Sequence, residues 1–144
     1  MTDYEALAEF RYHIRRFIHF SEQTARLSGI EPQQHQVLLA ARGFRGKPEQ
    51  GPTIGYLAER LQVRHHSAVE LIDRMVSHGL VERLHGERDR RQVIISLTRY
   101  GDRMLRKLSA EHIRQLREMG PALVAALDAI VASVPVEQAE KIAQ

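Results

Sequence analysis

The stretch TIGYLAERLQVRHHSAVELIDRMVSHGLVERLHGERDRRQVIISLTRYG, residues 53–101, changes its hydrophobic period twice, and those changes define the fold. Thr53 is a good N-cap, and Ile54, Leu57, Ala58 and Leu61 recur behind it at helical spacing. Gln62-Val63-Arg64 leaves room only for a tight turn. A second helix over about 65–78 then offers Ala68, Ile72, Met75 and Val76 inward, and His66, Ser67, Glu70, Arg74 and Ser77 outward. Gly79 is placed to end it in the left-handed conformation that a β-carbon disfavours. From there the period becomes two. Residues 80–85 can run extended, and Val93, Ile95 and Leu97 share one face of a strand over 92–97. The charged segment Gly86-Glu87-Arg88-Asp89-Arg90-Arg91 between them reads as a hairpin tip. Helix, three-residue turn, helix and arginine-tipped hairpin together predict a winged helix-turn-helix.

Outward from this centre the chain is helical. Residues 4–27 place Leu7, Phe10, Ile14, Phe17 and Ile18 at helical spacing, with Phe20 beside them. Ser28-Gly29 stops that helix, and Pro32 opens another that runs to about Arg42 through Val37, Leu38 and Ala41. Three glycines and two prolines make residues 43–52 a loop. Thr98 caps a long helix to about Met119. Gly120-Pro121 is expected to break it and begin another with Leu123, Leu127, Ile130, Val131 and Val134, which Pro135 ends or kinks. The fold class is therefore mainly α with a small β-hairpin wing. A single domain spans 1–144, in which dimerisation helices at 1–30 and 100–144 flank a DNA-binding lobe at 31–99.

Composition sets the class of protein. The 144 residues are 43% hydrophobic, enough for a core without staples, and the absence of cysteine removes disulfides and thiolate chemistry. Met1-Thr2-Asp3-Tyr4-Glu5 is not the start of a secretory signal, and no apolar run suits a membrane span, so a soluble cytoplasmic chain is expected. The net charge of +3 fits a polyanionic partner without requiring one. More telling is the gathering of Arg88, Arg90 and Arg91 at the hairpin tip.

This order of elements suits double-stranded DNA. The major groove admits a helix, and the small or polar residues of the second helix, Arg64, His65, His66, Ser67, Glu70 and Arg74, reach base edges or phosphates from it. Wing arginines neutralise phosphates or enter the narrow minor groove. The terminal helices carry more apolar surface than the lobe requires. Pairing Leu7, Phe10, Ile14, Phe17, Leu123, Leu127 and Ile130 between two chains would bury it and form a two-fold dimer. Two recognition helices would then meet half-sites about 34–36 Å apart on a near-palindrome.

Residues 53–61 resemble the buttress helix of the MarR (multiple antibiotic resistance regulator) family. Residues 67–75 with Gly79-Leu80-Val81 resemble its recognition helix and exit, and Asp89 to Thr98, continuing to Gly101, its wing signature. The resemblance implies a homodimeric transcriptional regulator, commonly a repressor, in which Arg91 enters the minor groove and Asp89 orients it. It also implies release from DNA by a small aromatic or lipophilic effector. Tyr12, Phe17 and Phe20 either line a pocket for such a ligand, with Arg16 and His35 to orient an acidic group, or serve only as core and dimer packing. The absence of tryptophan speaks against the urate-responsive subgroup. Glu70 departs from the basic or polar residue usual in the family; there it accepts from a cytosine amine or repels phosphates.

Other functions find less support. No nucleophile elbow, Gly-rich phosphate loop or HExxH helix is present, so no enzyme and no cofactor are expected. His65 and His66 are adjacent and cannot chelate as an i, i+4 pair would, and no metal site is expected. The rival to a DNA reader is a winged-helix interaction module that has lost DNA binding. The arginine-tipped wing argues against it.

Overall fold

The computed structural model describes residues 2–47, 50–86 and 89–133. Seven elements follow in order: α1 (Asp3–Leu27), α2 (Pro32–Arg42), α3 (Ile54–Leu61), α4 (His65–Ser77), β1 (Val81–His85), β2 (Val93–Leu97) and α5 (Arg99–Ser133). They fall into two compact units, residues 23–109 and residues 1–22 with 110–144.

The unit 23–109 holds the helix-turn-helix and wing. Its core is built from Leu38 of α2, Leu57 of α3, Ile72 and Met75 of α4, Leu80, Ile95 of β2 and Leu108 of α5. On α4 the inward stripe is Ala68, Leu71, Ile72 and Met75, whereas Val76, expected inside, is 36% exposed. Leu71 takes its place because i, i+3 and i+4 from Ala68 mark the buried face, and position 76 has already turned off it. Strands β1 and β2 pair antiparallel with Val81 opposite Leu97 and His85 opposite Val93. The far edge of β2 is also engaged: Ile95 N–H donates to the Pro52 carbonyl at 2.8 Å, and Gln92 Nε2 donates to the Gln50 carbonyl at 2.8 Å. The segment 50–52 thus covers an edge that would otherwise stand open.

One polar knot joins the exit of α4 to the entry of α5. Gly79 adopts φ +72°, the left-handed cap its sequence position suggests. Thr98 Oγ1 donates to the Gly79 carbonyl at 2.5 Å and accepts from Gly101 N–H at 3.0 Å. Gly101 lies so close to the Leu80 carbonyl that a β-carbon there would stand 2.1 Å from it.

In the unit formed by 1–22 and 110–144, Thr2 and Glu5 make a reciprocal cap at the start of α1, at 2.6 and 3.2 Å. The Thr2 backbone N–H lowers the Glu5 carboxyl below its ordinary pKa. Buried positions here are Ala6, Ser21, His112, Met119 and Ala126. His112 Nε2 lies 2.7 Å from Ser21 Oγ, with Phe17 and Phe20 edge-on to its ring at 6.0 and 5.5 Å. Small α1 residues thus take the buried positions. The larger apolar residues at their sides, Leu7 and Ile18 among them, remain about half exposed.

Helix α5 corrects the expected break. It runs unbroken from Arg99 to Ser133 with Pro121 inside it. Proline removes one i to i−4 hydrogen bond and crowds the carbonyl four residues back, which costs about 3 kcal/mol but does not by itself stop a helix. Five residues on, Ala126 is buried, as is Met119 two residues before the proline, so packing on both sides carries the helix through. Val134 and Pro135 lie outside the described residues.

Candidate nucleic-acid interface

The site is assembled within the unit 23–109. Thr53 accepts Tyr56 N–H at 3.1 Å and starts α3 as its sequence indicates. The turn that follows relies on Gln62, a non-glycine residue at φ 55°, with Val63 N–H bonded back to the Ala58 carbonyl at 3.0 Å. That compact reversal passes the chain from α3 into α4. Arg64 is the N-cap of α4 but supplies no side-chain cap, so the first-turn N–H groups have no partner from that side chain.

Along the outer side of α4, Arg64, His65, His66, Glu70 and Arg74 are exposed and Ser67 is half-buried. Ala68, Leu71 and Ile72 anchor the opposite side, so the polar stripe is held up by the core. Arg74 is engaged as well as exposed: its Nη2 donates to Glu31 Oε2 at 3.3 Å. The sequence reading assigned Arg74 to DNA and missed this partner, 43 residues away.

At the wing, Asp89, Arg90 and Arg91 are exposed, and the Arg91 side chain is 97% accessible. Arg88 lies outside the described residues. Asp89 Oδ1 accepts Arg91 backbone N–H at 3.0 Å, while the Arg91 guanidinium Nε stands 4.0 Å away. The carboxylate therefore shapes the turn first and touches the guanidinium only at the limit of an ion pair. Across the tip, His85 Nδ1 donates to the Arg90 carbonyl at 2.9 Å, which fixes the proton on that nitrogen. Further down the wing, Arg83 of β1 pairs with Asp73 of α4. No periodicity announced this contact, since a hydrophobic pattern does not state which charges meet.

Residues proposed for an effector are placed as follows. Arg16 stands over the Tyr12 ring at 5.7 Å, both exposed, and Phe20 packs on His112. These belong to the unit 1–22 with 110–144, whereas His35 is buried in the unit 23–109, with Nδ1 3.4 Å from Gln36 Nε2. A separate cleft of about 450 Å³ lies between α2 and α3, lined by Gln33, Gln36, Leu39, Tyr56 and Arg60 among others. Among the described residues, no three of His, Asp or Glu gather to hold a metal ion, and no helix is long and apolar enough to cross a membrane.

Comparison with known proteins locates the same segment. Residues 28–92 match the model of the MarR family. Over 67 residues the chain is 36% identical to an uncharacterized HTH-type transcriptional regulator, YsmB of Bacillus subtilis (strain 168). That match covers 46% of each chain, so it spans about half the length of the curated relative. Among solved structures, a mutant of MepR from Staphylococcus aureus bound to an oligodeoxyribonucleotide superposes with a TM-score of 0.62 at 20% identity. It covers 99% of this chain and 91% of that one. CouR from Rhodococcus jostii RHA1, bound to p-coumaroyl-CoA, gives a TM-score of 0.58 at 19% identity, over 88% and 78% of the two chains. The family match falls wholly inside the unit that carries α4 and the wing, and the shared fold extends over most of the chain. Residues 28–92, somewhat less than half of the chain, are thus similar to the MarR family.

Proposed function

We propose that this chain is a sequence-specific DNA-binding transcriptional regulator. One observation carries the proposal: a polar, core-anchored α4 and a wing whose Arg91 is almost wholly exposed belong to one compact unit. The α4 side chains Arg64, His65, His66, Ser67 and Glu70 enter the major groove, where base edges can be told apart. Its first-turn N–H groups, given no side-chain cap by Arg64, meet a phosphate, which the helix dipole favours. Arg88, Arg90 and Arg91 serve the flanking minor groove and backbone. The MepR–oligonucleotide structure, with the same fold, supports this docking.

The chain acts in the cytoplasm as a homodimer through α1 and the end of α5, over a near-palindromic operator, and represses by occupancy. Leu7, Val124, Leu127 and Val131, each 44% exposed or more, support a second copy as their cover. A small aromatic or lipophilic ligand releases the operator by preferring a different arrangement of the dimer. The CouR structure with its acyl-CoA, and the residues Tyr12, Arg16, Phe20 and His35, support that part of the reading. Thermal-shift screening of aromatic acids tests it; a family-wide panel with no shift removes the effector.

Fluorescence anisotropy on the DNA upstream of the chain's own gene tests the whole. Binding should tighten steeply as salt falls, with a log–log slope that counts phosphate contacts at about 0.9 each. Equal affinity for operator and scrambled duplex at every salt concentration would reduce the chain to a nonspecific binder. No binding at low salt would favour an interaction module.

A further inference from the structure

We infer that Gln34 is a positioning residue of the DNA reader, fastening the last turn of α4 to the first turn of α2; this rests on the proposed DNA-binding role. Gln34 is 1% exposed, and a buried amide must satisfy both of its ends. Its Oε1 accepts Glu31 backbone N–H at 2.9 Å, closing a capping box at the start of α2. A backbone N–H only donates, so the oxygen must sit there; the reversed amide would set donor against donor. The NH₂ end is therefore the one that faces His78 Nδ1, 3.2 Å away. An NH₂ group also only donates, so Nδ1 must offer a lone pair. In this contact the His78 ring leaves Nδ1 bare and carries its proton on Nε2.

The consequence for α4 follows from helical spacing. His78 is the C-cap of α4, four residues after Arg74, and Arg74 pairs with Glu31, the N-cap of α2. Residues four apart share one side of a helix, so both contacts grip one stripe of α4. Continued toward the N-terminus, that stripe reaches Glu70 and Ser67. Any roll of α4 that parts His78 from Gln34 sweeps those two residues across the groove. Arg83, bound to Asp73, resists the roll from the wing side. The α2 cap thus sets the angle at which α4 meets base edges, while wing and backbone contacts stay as they are.

Gln34→Glu separates the clamp from the cap. The carboxylate still accepts Glu31 N–H, but it turns an acceptor toward His78. Long-range ¹H–¹⁵N spectra of the full chain, labelled at histidine and assigned with His78→Asn, read the ring directly at pH 8. The unsubstituted chain should show protonated Nε2 and bare Nδ1 at His78, and Gln34→Glu should move a proton onto Nδ1. In anisotropy titrations, Gln34→Glu should lose about tenfold in its preference for operator over scrambled duplex, with the salt slope unchanged. Adding His78→Gln, whose amide can donate to the new carboxylate, should restore most of that preference, which general destabilisation would not allow. A proton on Nδ1 in the unsubstituted chain overturns the clamp. The expected tautomer with undiminished operator preference in Gln34→Glu overturns the positioning role. Failure of the unsubstituted chain to bind any duplex overturns the DNA-reading proposal and the positioning role with it, while the spectra still decide the clamp.

Discussion

At the scale of single residues, Arg91 and Gly101 do opposite kinds of work. The Arg91 side chain is 97% accessible, so its removal costs the fold little. In the proposed dimer it appears twice, and Arg91→Ala should lower operator affinity at least tenfold and flatten the salt slope by about 2, one contact per wing. Anisotropy across a salt series checks both numbers, and an unchanged slope would show that Arg91 touches no phosphate. Gly101 lies against the Leu80 carbonyl with no room for a methyl group. Gly101→Ala must push α5 off the α4 exit, and a loss of about 2 kcal/mol or more in urea denaturation is expected. Gly101 was legible in the sequence as part of a wing signature. Its reason, a close approach of backbones, was not, because nothing in a one-dimensional pattern states which carbonyl lies overhead.

At the scale of elements, the sequence spoke clearly wherever a local rule decided the outcome. Thr53 capping α3, Gly79 in the left-handed region and the alternation of Val93, Ile95 and Leu97 needed only nearest neighbours, and each element formed where it was expected. Pro121 misled because its local penalty is real but smaller than the packing of a 35-residue helix. Polar ties between elements stayed hidden for a different reason. The hydrophobic pattern says nothing of which charges meet, and only the folded chain brings Asp73 to Arg83 and Glu31 to Arg74, a residue the sequence assigned to DNA. The Asp73–Arg83 pair joins α4 to the wing, and both partners are partly exposed, so its worth to stability is about 0–1 kcal/mol. Its worth to DNA reading should be larger. Asp73→Arg or Arg83→Asp alone should place like charges together and weaken operator binding severalfold, whereas the two combined should recover much of the loss. A double-mutant cycle on operator affinity measures the coupling. Additive losses would mean that helix and wing are set independently.

At the scale of the molecule, the question is what covers the apolar residues that a single chain leaves in water. Val131 is 71% exposed, Val124 57%, Ile113 51% and Leu7 49%, all in the unit formed by residues 1–22 and 110–144. Scattered apolar residues on a surface need no explanation, but here they recur along the parts of α1 and α5 that lie in this unit, where the buried residues among those described are Ala6, Ser21, His112, Met119 and Ala126. In the proposed dimer a second copy is that cover, and it also serves the lobe, since one wing and one α4 would bind a half-site weakly while two joined copies would bind with an avidity of about 10²–10⁴ over one. The chain should therefore sediment at twice its 16.5 kDa at micromolar concentration. Leu127→Glu, at a residue already 44% exposed, places a charge in the interface without disturbing a buried site in the single chain. Its helical circular dichroism should persist while sedimentation shows a single subunit and operator affinity falls about a hundredfold. The salt slope should halve in step, because only one reader remains on each duplex. If Leu127→Glu still sediments as a pair, the interface lies elsewhere. If it is a single subunit with full affinity, two-fold reading of the operator is wrong.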